Sequence, residues 1–195
     1  MKQAEAIIIG GGLMGLSTAM HMGLRGKKVI VLEKQSPGRQ ASGVNAGGLR
    51  QLNRHMAEIP LTVAAAKMWK NISGLVGSDC DVVLQGQVKV AETEAELQTL
   101  KERVKELNAR GFYHERIIDQ DELYELVPKL VSGCVGALYS SEDGFARPFH
   151  ATTAFRDKAI ELGAQIYSNI EIQGIEKSDN GWKAATTQGN FHAPS

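Results

Sequence analysis

The sequence predicts an α/β fold opened by a βαβ unit, and three features predict it. The run Ile7-Ile8-Ile9 breaks at once into Gly10-Gly11-Gly12-Leu13-Met14-Gly15. An apolar-periodic segment then reaches Leu24 and Gly26, and Val29-Ile30-Val31-Leu32 ends on Glu33. Short β-branched runs read as strands and the periodic segment between them as a helix, an order that requires a parallel pair.

Each part of this unit has a chemical consequence. Gly10 permits a tight turn off the strand, Gly12 lacks the Cβ that would keep a pyrophosphate from the backbone, and Gly15 lets the helix approach the strands. The helix N-terminus offers free N–H groups and a partial positive charge to phosphates. Glu33, about 20 residues past the glycines, is placed to accept hydrogen bonds from an adenosine ribose, and an acid there disfavours a 2′-phosphate. A glycine-rich turn alone is weak evidence, yet glycines that served only packing would leave an acid capping an apolar strand without a reason. The order of the parts indicates dinucleotide binding.

Bulk composition narrows the classes. With 195 residues, 43% hydrophobic, the chain is long enough for one large or two small domains with a real core. The 22 basic and 22 acidic side chains cancel, which gives no support for nucleic acid or an anionic membrane as a partner. Cys80 and Cys134 imply no disulfide framework and have no metal-ligand spacing, so no metal is expected and both read as ordinary buried or half-buried thiols. The apolar run Ala6 to Ile9 is too short for a secretion signal, and nothing approaches the roughly 20 residues of a membrane span. These features point to a soluble cytoplasmic protein.

Beyond Glu33, Lys34 to Gly38 reads as a turn, and residues 39–51 are rich in small side chains without helical or strand period. Such backbone suits contact with a flat or polyanionic ligand. Arg50 and Arg54 read either as cations near that ligand or as solvated charges opening a helix, and His55 reads either as a base near it or, as is usual for a lone His in a polar turn, as structural or solvated. Ile59 to Ile72 has helical spacing through Leu61, Ala64, Ala65, Met68 and Trp69 and is expected to be core. Asp81 to Val90 reads as a strand pair around Gly86. Glu94 to Ala109 is an amphipathic helix with Leu97, Leu100, Val104 and Leu107 on one face, started by Thr93 and ended at Gly111. A strand at Ile117-Ile118, a short helix from Asp119 that stops before Pro128, a strand from Cys134 to Tyr139 and a turn at Glu142 to Gly144 follow. Then come a helix from His150 to Leu162, strands near 164–167, 170–176 and 182–187, and the start of one more at Phe191.

The combination V-L-E-K, a short turn, and A-S-G-x-N-A-G-G-L-R-x-Q resembles the FAD-dependent amine and amino-acid oxidoreductases of the D-amino-acid oxidase superfamily. Glycine oxidase, the sarcosine oxidase β subunit and D-amino-acid dehydrogenase are among them. The segments Gly86 to Thr93, Glu125 to Pro128 and Asp143 to Pro148 match further elements in that family's order.

The resemblance implies a Rossmann-like FAD-binding βαβ domain with an interleaved, incomplete α+β substrate domain. Residues 1–53 would be the first FAD segment, 54–80 a helical connection, 81–165 substrate-domain portion and 166–195 a return to the FAD domain. Gly10, Gly12, Leu13, Met14, Gly15, Glu33 and Lys34 would hold the ADP part. Ser42, Gly43, Asn45, Ala46, Gly47, Gly48 and Leu49 would run towards the isoalloxazine, Ile172 would reach the adenine, and Arg50 would touch substrate or flavin.

Where some relatives carry a flavin-linking His this chain has Asn45, which implies non-covalent FAD. The implied reaction is hydride transfer from an amine or amino acid to flavin N5, with oxygen or a carrier as electron acceptor, no nominated general base, and a homo- or hetero-oligomer open. Relatives extend well beyond this length, which implies an N-terminal portion, inactive by itself, with an open apolar face. Two other readings remain: an FAD-dependent 2-hydroxy-acid or glycerol-phosphate dehydrogenase, and a non-catalytic nucleotide-binding or assembly module.

Overall fold

A computed structural model describes residues 2–194. In chain order the elements are β1 Lys2–Gln3, β2 Ala6–Ile9, α1 Leu13–Gly23, β3 Val29–Leu32, α2 Ala41–Val44, β4 Gly48–Leu49, α3 Ile59–Lys70, α4 Ile72–Val76, β5 Gln87–Ala91, α5 Glu94–Ala109, β6 Arg116–Ile118, α6 Gln120–Leu126, β7 Gly136–Ser140, β8 Gly144–Phe145, α7 Pro148–Glu161, β9 Gln165–Tyr167, β10 Ile172–Ser178, β11 Gly181–Thr186 and β12 Gly189–Ala193. They group into two compact units, one of residues 1–47, 72–81 and 147–195 and the other of residues 48–71 and 82–146. Mixed α/β architecture follows, as the βαβ signature requires.

In the first unit, β2, β3 and β9 form a parallel sheet in the order β2-β3-β9, with Ile7 opposite Ile30 and Leu32 opposite Tyr167. All of β3 is buried, which is why its sequence is an unbroken apolar run. A second sheet, β1-β12-β11-β10, meets it through Ile30, Leu32, Ile170, Ala184 and Phe191. Each of the Ile, Leu and Phe side chains contributes roughly 1.5–3 kcal/mol by leaving water. Helix α1 packs on β2 and β3 and against α7. Residues 148–165 fall in the portion expected as substrate domain, 81–165. Their contacts are with this unit, because α7 covers α1 and β9 pairs with β3. Ile9, Ile175 and Trp182 stay exposed around a cavity of about 200 Å³.

The second unit is built on the antiparallel sheet β5-β7-β6. Helix α5 lays Leu97 and Leu100 against Leu52, Ala91 and Leu138, and α6 sets Leu123 beside Ile118, Cys134 and Ala137. The start of α5 is a reciprocal capping box: the Glu96 amide donates to Thr93 Oγ1 at 3.2 Å and the Thr93 amide to Glu96 Oε2 at 3.1 Å. The Glu92 amide, which donates to the same oxygen at 2.8 Å, and after it the Thr93 amide hold the Glu96 carboxyl below its ordinary range.

Several sequence expectations are corrected here. Asp81 to Val90 is no hairpin: Cys80 and Asp81 take positive φ angles of 55° and 49°, which breaks the extended run, and β5 finds its partner in β7. Val83 makes only an isolated bridge to Phe145. Helix α3 forms as predicted through Lys70 but is not core. Only Ile59 in it is buried, while Leu61 is 74% exposed and Ala64 and Met68 lie open. The helix has apolar residues on more than one side, and one side alone is covered among the described residues. Arg50 and Arg54 open no helix; they sit in a turn before α3. Among the described residues no helix is long and apolar enough to cross a membrane, and no cluster of His, Cys, Asp and Glu is arranged for a metal ion.

Candidate functional site

The turn after β2 is shaped by its glycines. Gly10 has φ of +100°, and a Cβ on Gly15 would stand 2.0 Å from the Gly10 carbonyl oxygen, so helix and turn touch backbone to backbone. A Cβ on Gly12 would stand 2.8 Å from Ser42 Oγ. Ser42 Oγ accepts the Leu13 amide at 3.0 Å, giving one amide of the first turn of α1 a side-chain partner that Gly12 cannot supply. Met14 on the same turn is exposed.

Glu33 closes the other side. Its Oε2 accepts the Gly11 amide at 2.6 Å and its Oε1 the Gln35 amide at 2.8 Å. Gly12, Glu33, Ser42 and residues 36 and 38–41 line a cavity of about 140 Å³. The arrangement fits an adenosine diphosphate moiety: an acid beside a bare turn at a helix N-terminus. Lys34 instead pairs with Glu171 at 2.6 Å, which raises its pKa.

The loop beyond is held by α7. Thr152 Oγ1 donates to the Ser42 carbonyl at 3.1 Å, and a Cβ on Gly43 would meet the Gly38 carbonyl oxygen at 2.0 Å. Asn45 serves its own turn, donating to the Ala41 carbonyl at 2.8 Å and accepting the Gly47 amide at 2.7 Å. Ala46 is exposed on that turn. Ile172, at the start of β10, packs on the Ile30–Phe191 cluster. Arg39 and Gln40 fall in the segment 39–51 that reads as ligand-facing, whereas Ser36 reads as part of a plain turn, because a polar turn looks alike whether or not a cavity lies beneath it.

Gly48, Leu49 and Arg50 belong to the second unit, where β4 pairs with β8. They line a cavity of about 180 Å³ together with Arg54, Trp69 and Leu84. Acids reach that wall already engaged. Asp143 accepts the Gln51 and Leu52 amides, and Glu142 pairs with Lys70. Arg54 Nε donates to the Arg50 carbonyl at 3.2 Å, and among the described residues neither guanidinium meets a carboxylate. Such a cavity suits a small anion. His55 is exposed and its Nδ1 accepts the Ala57 amide, a turn role. A larger cavity, about 470 Å³, is lined by Lys67, Tyr113, His114, Tyr139 and neighbours.

Comparison with known proteins supplies the deciding observation. A family described as FAD dependent oxidoreductase matches residues 5–194. The chain belongs to the FAD-dependent oxidoreductase family. FAD is the cofactor of that family, and the glycine turn after β2 has room beside it for the ADP part. The chain is 26% identical to glycine oxidase of Bacillus licheniformis over 98% of its own length and 52% of the relative's. It is 32% identical to the mitochondrial pyruvate dehydrogenase phosphatase regulatory subunit of Mus musculus over 87% of this chain and 20% of that one. The solved structure of L-proline dehydrogenase from P. horikoshii superposes with a TM-score of 0.90 and 28% identity, over 99% of this chain and 51% of that one. The chain thus spans about half the length of glycine oxidase and less of the mouse protein.

Proposed function

We propose that the protein carrying this chain oxidises the C–N bond of an amino acid or secondary amine. In this reading the first unit holds FAD non-covalently and the second holds the substrate carboxylate. When bound, FAD supplies the acceptor for a hydride leaving the substrate's α-carbon, and water hydrolyses the resulting imine.

The chain's own residues bind and orient. Glu33 takes the ribose hydroxyls, the Gly10 to Gly15 turn admits the pyrophosphate, and Gly43 and Asn45 to Leu49 continue the flavin-lining backbone. Arg50 and Arg54 fix the carboxylate, and Ala65, Trp69 and Leu84 give it an apolar surround. No residue is assigned as a general base.

The observation that carries the reading is the pair of guanidiniums without a carboxylate partner in the second unit's cavity. Glycine and L-proline, for which two similar proteins are named, each join a carboxylate to an amine nitrogen. Turnover by the whole protein tests it. Glycine, sarcosine or D-proline should bleach the flavin absorbance and 2-hydroxyglutarate should not. Oxidation of 2-hydroxyglutarate alone would replace this reading with the hydroxy-acid one, and recovery of the absorbance in air distinguishes oxygen from a carrier as acceptor.

A second reading rests on the similarity to the mouse regulatory subunit. A non-catalytic module would take up FAD yet show no bleaching with any amine.

A further inference from the structure

Three consecutive backbone amides of the second unit are gripped by two buried carboxylates. The Gln51 amide donates to Asp143 Oδ1 and Oδ2 at 3.0 and 2.9 Å, the Leu52 amide to Asp143 Oδ2 at 2.8 Å, and the Asn53 amide to Glu115 Oε1 at 2.6 Å. Asp143 is 1% exposed and Glu115 3%. Both carboxylates make further contacts. Ser140 Oγ donates to Asp143 Oδ1 at 3.0 Å, and Arg103 grips Glu115 through Nε at 2.7 Å and Nη2 at 2.9 Å. Asn53 is held at a φ of +54°, a conformation uncommon without such support.

These amides lie directly between Arg50 and Arg54. The acids come from distant parts of the sequence, Glu115 from the segment ahead of β6 and Asp143 from the turn between β7 and β8. A short loop bearing two unpaired guanidiniums would swing outward to be hydrated; here its backbone is tied down from beneath by charge-assisted bonds. The same bonds turn the Asp143 carboxylate towards the backbone amides, and among the described residues neither guanidinium pairs with it.

The geometry points to Asp143 and Glu115 as paired positioning residues that set carboxylate recognition by holding Arg50 and Arg54 in place, an inference that rests on the substrate reading above. Specificity for a carboxylate over its neutral amide then depends on two acids whose charges are already engaged with backbone and Arg103.

The test uses benzoate and its neutral analogue benzamide, with fluorescence of Trp69 as the reporter in a Trp182→Phe background. Trp69 lines the cavity, and the chain has only these two tryptophans. Wild-type protein should bind benzoate in preference to benzamide, and Arg50→Met with Arg54→Met should abolish the preference. Asp143→Asn, which turns an NH2 towards amide donors, should weaken benzoate by at least about tenfold and leave benzamide nearly unchanged. Glu115→Gln, which keeps one acceptor for Asn53, should lower the preference less.

If wild type shows no preference, the carboxylate reading itself fails. If the arginine variants lose it while folded Asp143→Asn and Glu115→Gln both keep it, the reading stands and the clamp is overturned. Should Asp143→Asn not fold, Glu115→Gln alone decides by the benzoate-over-benzamide ratio, which a general loosening of the cavity would leave unmoved.

Discussion

The Gly11 amide donates to Glu33 Oε2 over 2.6 Å, tying the glycine turn to the end of the neighbouring strand. The bond holds the carboxylate beside the cavity lined by Gly12 and Ser42, so one acid both closes the turn and faces that cavity.

Replacing Glu33 with Gln should therefore weaken FAD while leaving the fold. A charge-assisted hydrogen bond contributes about 1.5–3 kcal/mol, so affinity should fall roughly ten- to a hundredfold. Quenching of flavin fluorescence on titration measures it; an unchanged dissociation constant would remove Glu33 from the ribose site.

Gly15→Ala should be destabilising by about 1–3 kcal/mol, because its Cβ would meet the Gly10 carbonyl oxygen at 2.0 Å and both partners are backbone. Gly174→Ala, where a Cβ meets nothing within 4 Å, is the control and should stay within about 0.5 kcal/mol. Urea midpoints of the two variants make the comparison.

Thr93→Ala should cost about 1 kcal/mol by removing the side-chain half of the capping box on a 16-residue helix. Chemical denaturation followed by circular dichroism reports it, and a variant as stable as the parent would mean the cap is replaced by water.

Acid sensitivity should trace to His114. Burial pushes its imidazole below the ordinary value, the carboxylates of Glu115, Asp143 and Glu142 oppose that, and Arg103 adds to it. Its side chain is 7% exposed, and neither ring nitrogen has a hydrogen-bond partner. The unfolded chain binds this proton first as pH falls. Stability is thus complete above about pH 6.5 and declines below it until the folded imidazole is also protonated. His114→Leu should flatten that decline in a series of urea midpoints. An equally steep decline in the variant would assign it to other groups.

Local sequence determined the elements whose causes are local. The apolar run of β3, the glycines and acid of the turn, and Thr93 with the leucines of α5 each name a structure within a few residues, because strand period, helix period and capping are short-range effects. That is also why the family was legible from residues 29–51. Tertiary structure decided what depends on distant partners. It showed that Gln87–Ala91 pairs with Gly136–Ser140 rather than folding back on residues 82–85, that Leu61 and Met68 remain uncovered, and that Thr152 holds the loop at Ser42. Glu115 and Asp143 carry no local signal for gripping residues 51–53, since an isolated acid in a turn reads the same solvated or buried. Only the fold brings them under those amides, where desolvation makes each hydrogen bond count.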